Sequence, residues 1–183
     1  TIAVRDVRGV SAEFHPRFSA SRRRYRYTIL NTRVRSPLHE MRVWQLYGTL
    51  DMDAMNQAAA RLVGKHDFAT FGTPPQGNNT VRDLFRAEWH REGDFLYFDV
   101  EATAFLKRMV RSLVGSLRLV GAGTWSVDDF VTALQAKERS RSGPSAPPQG
   151  LVLEFVRYDE WHFADNRQTN AEIEDENLYN QNE

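Results

Sequence analysis

Residues 14–27 read Phe-His-Pro-Arg-Phe-Ser-Ala-Ser-Arg-Arg-Arg-Tyr-Arg-Tyr, FHPRFSASRRRYRY, and lead directly into the apolar Thr28-Ile29-Leu30. With a turn at Ser19 to Ser21, the residues that follow predict a β-strand, because Tyr, Thr and Ile suit a pleated surface. Side chains alternate along a strand. Arg23, Tyr25, Tyr27 and Ile29 then share one face, and Arg22, Arg24, Arg26 and Thr28 the other. Two readings fit this alternation. In one, the tyrosines pack on a core and the arginines lie in water. In the other, an aromatic ring beside guanidinium groups receives a flipped-out base and holds phosphates.

Working outward, the remaining segments predict an α+β fold, a mostly antiparallel sheet with helices packed on one face. A short strand is expected at Thr1 to Val7 and another at Val43 to Tyr47. Asp51 is a suitable N-cap for a helix in which Met55, Ala58, Ala59 and Leu62 recur at helical spacing before Gly64 stops it. Asp67 in His66-Asp67-Phe68 reads as a turn or cap residue, with an acid–base role as the alternative. Thr80 to Glu92 and Asp94 to Thr103 form the two arms of a hairpin around Glu92-Gly93-Asp94. Phe105 to Val120 is the strongest helix. Its apolar half-wheel faces a stripe of Lys107, Arg111 and Arg118, with Arg108 at the edge. That stripe is either a solvated face or the lining of a phosphate-binding cleft. Ser126 caps a further helix that runs to about Lys137, with Asp129 three residues on, and Leu151 to Tyr158 is a last strand.

Residues 1–158 are expected to form one domain, followed by an acidic tail, 159–183, whose composition favours disorder. The abrupt start at Thr1, with no cap or loop before the first expected strand, suggests part of something longer. The net charge of zero is an average over unlike parts. Residues 1–50 hold ten Arg and three acids, whereas residues 159–183 hold one Arg and eight acids. Such asymmetry hints at a polyanion-binding part joined to an acidic segment. The 183 residues contain no Cys, which excludes disulfides and thiolate metal sites. The five His never fall at HxxxH spacing, so no helix-borne zinc site is expected. No apolar run has the length of a membrane span. Phosphate-loop, dinucleotide-binding and serine-hydrolase patterns are all missing.

Five blocks, in order, resemble the C-terminal part of the TruA family of tRNA pseudouridine synthases. They are FHPRFSASRRRYRY (14–27), GKHDFATF (64–71), TVRDLF (80–85), ATAFLKRMVRSLVGSL (102–117) and RSRSGPSAPPQGLVL (139–153). Ser142, Ser145 and Val152 stand where the family pattern has Ala, Thr and Tyr, and the residues after Tyr158 match no family pattern. The resemblance implies the pseudouridine synthase fold and isomerisation of uridine in the tRNA anticodon stem-loop. An Asp in a GRTDAGVH-type element attacks the nucleoside, the glycosidic bond breaks, the uracil turns and C5 joins the ribose. No such element occurs in these residues. The nucleophile is thus expected on an N-terminal segment, and this chain is expected to be inactive alone. By similarity Tyr25 contacts the extruded base, and Arg111 pairs with that Asp and keeps it ionised. RNA contact is expected from Arg17, Arg22, Arg23, Arg24, Arg26, Lys107, Arg108 and Arg118. The resemblance further implies no cofactor or metal, tRNA as partner, a homodimer and a cytoplasmic location. A non-catalytic RNA-binding module sharing the fold is the alternative. A dimerisation domain without an RNA role is a third reading.

Overall fold

The computed structural model describes residues 2–4 and 6–158. They group into two compact units, Ser21–Arg157 and the residues up to Ala20 together with Tyr158. The smaller unit is held by Tyr158, whose hydroxyl donates to Pro16 O (2.8 Å) and whose ring lies 5.1 Å from that of Phe14. His15 Nδ1 accepts from the backbone N–H groups of Arg17 and Phe18.

The larger unit contains six strands and three helices. The strands are β1 (Arg22–Asn31), β2 (Trp44–Leu46), β3 (Gly64–Asp67), β4 (Val81–Glu92), β5 (Phe95–Ala102) and β6 (Leu151–Arg157). The helices are α1 (Met52–Ala60), α2 (Met109–Gly121) and α3 (Val127–Ala136). The sheet order is β2-β1-β5-β4-β3, with β6 beside β1 on the edge that β2 continues. Every pairing is antiparallel except β1 with β2. This is the expected α+β architecture.

The core lies between the helices and one face of the sheet. Tyr27 and Ile29 from β1, and Leu96, Phe98 and Val100 from β5, meet Met55, Ala58, Leu62, Leu113 and Leu117 from the helices. The inward residues of β4 are Leu84, Ala87 and Trp89. A spacing of three between the first two breaks strict alternation. A bulge between Leu84 and Arg86 absorbs the extra residue, so both Leu84 and Ala87 face the core. Next to Trp89 the edge of β4 is covered by α1. Asn56 Nδ2 donates to Trp89 O (3.0 Å), and Trp89 N–H donates to Asn56 Oδ1 (2.7 Å). The side-chain amide thus stands in for a further strand.

Asp51 accepts from Ala54 N–H at the start of α1, and Ser126 and Asp129 form a reciprocal capping box on α3. Both caps are where the sequence places them. Three expectations change. Residues 2–4 and 6–10 form no strand. The residues after Gly64 do form one, β3, which extends the sheet by pairing with β4. The long helix begins at Met109 rather than Phe105. A backbone bridge between Thr73 and Lys107 holds residue 107 in extended pairing, and Arg108 turns the chain into α2 with φ 66. That left-handed conformation costs a non-glycine residue about 1 kcal/mol or more.

Candidate functional site

Register fixes the two faces of β1. Arg23, Tyr25 and Tyr27 point to the helix side, as the alternation requires. Tyr25 is half-buried, and its ring meets Phe105 edge-on at 5.1 Å. Its hydroxyl has no hydrogen-bond partner among the described residues. Arg23 Nη1 donates to Thr103 O (2.5 Å). Two residues along, Tyr27 is fully buried and donates its hydroxyl to Pro147 O (2.7 Å). Burial pushes the ionisation of Tyr27 well above the ordinary tyrosine range, and the charge on Arg111 works against that rise.

Arg111 lies in the first turn of α2, and the segment 142–147 crosses it there. Arg111 Nε donates to Ala146 O (2.6 Å), and Ala146 N–H donates to Arg111 O (2.9 Å). The crossing is close because α2 is built of small residues on this side. Ser112, Gly115 and Ser116 are all buried, and a Cβ on Gly115 would run into Pro144 O. Ser116 Oγ accepts from Gly143 N–H (3.0 Å), and Ser112 Oγ lies 3.0 Å from Ser145 Oγ. Adjacent carbonyls of one segment, Ala146 and Pro147, therefore take up Arg111 and Tyr27. The two η nitrogens of Arg111 have no hydrogen-bond partner among the described residues. No carboxylate among those residues lies within ion-pair distance of Arg111.

The other arginines of the opening stretch are placed differently. Arg22, Arg24 and Arg26 lie on the opposite sheet face, each engaged with an acid of β5. Arg24 makes a two-point contact with Glu101 Oε2 (2.9 and 2.7 Å), which Arg22 also approaches through Oε1 (3.4 Å). Arg26 forks onto Asp99 (2.7 and 2.8 Å). Burial alone would raise the ionisation of both acids. The guanidinium contacts win and hold them below the usual carboxylate range. Arg22, Arg24 and Arg26 also lie over the rings of Phe85, Phe155 and Tyr97. The pairing of Asp99 and Glu101 with the arginines of β1 depends on the non-local register of β1 with β5. Lys107 and Arg108 are exposed just before α2. Arg118 lies in the last turn of α2, with a buried Nε that has no partner among the described residues. Arg17 belongs to the smaller unit, where it lies over Phe18. The structure thus brings Tyr25 and Arg111 to the helix side of the sheet and puts Arg22, Arg24 and Arg26 on its other side.

Asp67 accepts from Thr80 Oγ1 (2.5 Å) and from Ala69 N–H (3.1 Å), the bonding of a turn residue. Among the described residues no cluster of three or more His, Asp or Glu is arranged to hold a metal, and no helix is long and apolar enough to cross a membrane.

A family model described as tRNA pseudouridine synthase matches residues 58–159. The chain belongs to this family. Among curated relatives it is 46% identical over 161 residues to tRNA pseudouridine synthase A of Geobacter sp. (strain M21), covering 87% of this chain and 65% of that protein. It is 46% identical over 150 residues to the protein of that name from Acidiphilium cryptum, covering 81% and 59%. It is 46% identical over 159 residues to that from Myxococcus xanthus, covering 86% and 60%. The chain therefore spans less than two thirds of the length of these relatives.

Proposed function

We propose that this chain supplies the aromatic and cationic half of the active site of a tRNA pseudouridine synthase. The attacking carboxylate belongs to a segment outside these residues. The observation that carries the reading is Arg111. Its Nε is fixed on Ala146 O, it meets no described carboxylate, and its η nitrogens have no described partner. A guanidinium anchored by one nitrogen is preorganised to receive a carboxylate on the others and to keep it ionised.

Tyr25 is the contact for the extruded uracil. Phe105 fixes its ring, and its hydroxyl is available for the base. The substrate is a uridine of the tRNA anticodon stem-loop, isomerised by a cytoplasmic homodimer through carboxylate chemistry without a cofactor. The smaller-unit Arg17, and Arg23, Lys107, Arg108 and Arg118, contribute phosphate contacts. Arg22, Arg24 and Arg26 contribute RNA contact from the opposite face, where Glu101, Asp99 and Glu154 pair with them.

The test is pseudouridine formation in a tRNA transcript by this chain and by a longer protein of the relatives' length that contains it. The longer protein should turn over, this chain alone should not, and Arg111→Gln in the longer protein should abolish turnover. Turnover by the chain alone, or full turnover with Arg111→Gln, overturns the reading. Turnover lost from every form while tRNA binding persists and weakens steeply with salt would favour the RNA-binding module.

A further inference from the structure

We propose that Arg139 is a positioning residue that seats Arg111, acting through Ser112 and Ser145. This inference rests on the role given above to Arg111.

Arg139 lies in the 3-10 turn Arg139–Arg141 that precedes the crossing segment. Its two η nitrogens reach different parts of the fold. Nη1 donates to Thr70 O (2.9 Å), in the loop after β3, and Nη2 donates to Ser112 Oγ (2.9 Å) on α2. Ser112 is fully buried, and its Oγ is 3.0 Å from Ser145 Oγ. Ser145 directly precedes Ala146, whose carbonyl holds Arg111. Arg139 donates to Ser112 Oγ, and the Ser112 and Ser145 hydroxyls share a hydrogen bond in which either can donate, so the three groups form one connected chain whose bonds polarise one another. Thr70 is itself anchored, because its Oγ1 donates to Ala133 O of α3 (2.8 Å). Arg139 thus ties the loop after β3, the first turn of α2 and the crossing segment to one another.

The choice of side chain has a physical reason. Two acceptors on separate segments call for a planar fork; an ammonium donates from a single point. The charge itself gains no local partner, since Arg139 forms no ion pair among the described residues. Burial disfavours its cation, and the nearby Arg108 disfavours it further. A guanidinium kept on neutral oxygens under those conditions is explained by the geometry that it imposes.

The test uses variants that leave charge unchanged. Arg139→Lys keeps the cation but satisfies one acceptor at a time. Ser112→Ala cuts the relay in the middle. In this chain, solvent exchange of the Arg111 Nε–H, followed by NMR, should quicken about tenfold or more in both variants, the loss expected when a fixed geometry is released. Backbone amides of β4 and β5 should exchange as before. In the longer protein both variants should lower kcat about tenfold with the KM for tRNA within about twofold. Unchanged protection of the Arg111 Nε–H in Ser112→Ala overturns the proposal even if Arg139→Lys does not fold. Proportional quickening throughout the sheet also overturns it, as that is the mark of a merely structural role. If Arg111→Gln retains turnover while the exchange results hold, the functional reading fails and the seating of Arg111 stands.

Discussion

Replacing Tyr25 by Phe separates a ring from a hydroxyl. The ring meets Phe105 edge-on, and the hydroxyl has no partner among the described residues. Loss of the hydroxyl should therefore leave the fold and tRNA affinity in place. In the longer protein, Tyr25→Phe should reduce turnover at least about tenfold while the dissociation constant for tRNA stays within about twofold. Single-turnover kinetics and filter binding at one fixed salt concentration decide it. A tenfold loss of affinity with intact turnover contradicts the role given to Tyr25. Tyr27, on the same face, has no hydroxyl to offer, because it already donates to Pro147 O and burial disfavours its ionisation.

At the scale of elements, α2 depends on what crosses it. Gly115 lies under Pro144, and Gly115→Ala has no space for its methyl group. The variant should lose about 1–3 kcal/mol of stability, the range for overpacking a tight site. Chemical denaturation monitored by circular dichroism measures it, and a change below about 0.5 kcal/mol would mean that the crossing segment yields freely. This scale also shows what sequence could disclose. Alternation located β1 and the β4–β5 hairpin, and the Asp51 and Ser126 caps located two helix starts. Tyr25 and Arg111 stand out only through the family blocks, since alternation and helical spacing leave both with an ordinary packing or solvated reading. What stayed hidden depends on partners far along the chain. β3 is four residues, Gly64–Asp67, three of them polar, and it is a strand only because β4 pairs with it. The late start of α2 comes from Thr73, and the anchor of Arg111 is a backbone carbonyl 35 residues away. No local pattern encodes a backbone acceptor.

For the molecule as a whole, the sheet face opposite the helices sets the response to acid. Asp99 and Glu101 are held below their ordinary ionisation range by Arg26, Arg24 and Arg22 despite burial. A carboxyl depressed in the native state contributes stability above its unfolded value, about 4, and loses it as pH falls through the native value. Urea midpoints should accordingly be level from about pH 7 to pH 5 and fall steeply toward pH 3 and below. Asp99→Asn should be less stable at neutral pH, because Arg26 loses its main ionic partner, and should show a shallower acid slope. An identical slope in wild type and Asp99→Asn would assign acid sensitivity to other groups.

The crossing segment has a further consequence during synthesis. The chain emerges from the ribosome in order, and domains fold as units once their parts are present. Tyr25 and α2 are translated well before residues 145–147, yet the guanidinium of Arg111 has its anchor only in that later stretch. A nascent polypeptide stopped after α3 can already hold Tyr25 in its strand and still lack the carbonyl that orients Arg111, so the guanidinium is seated only once residues 145–147 have been made.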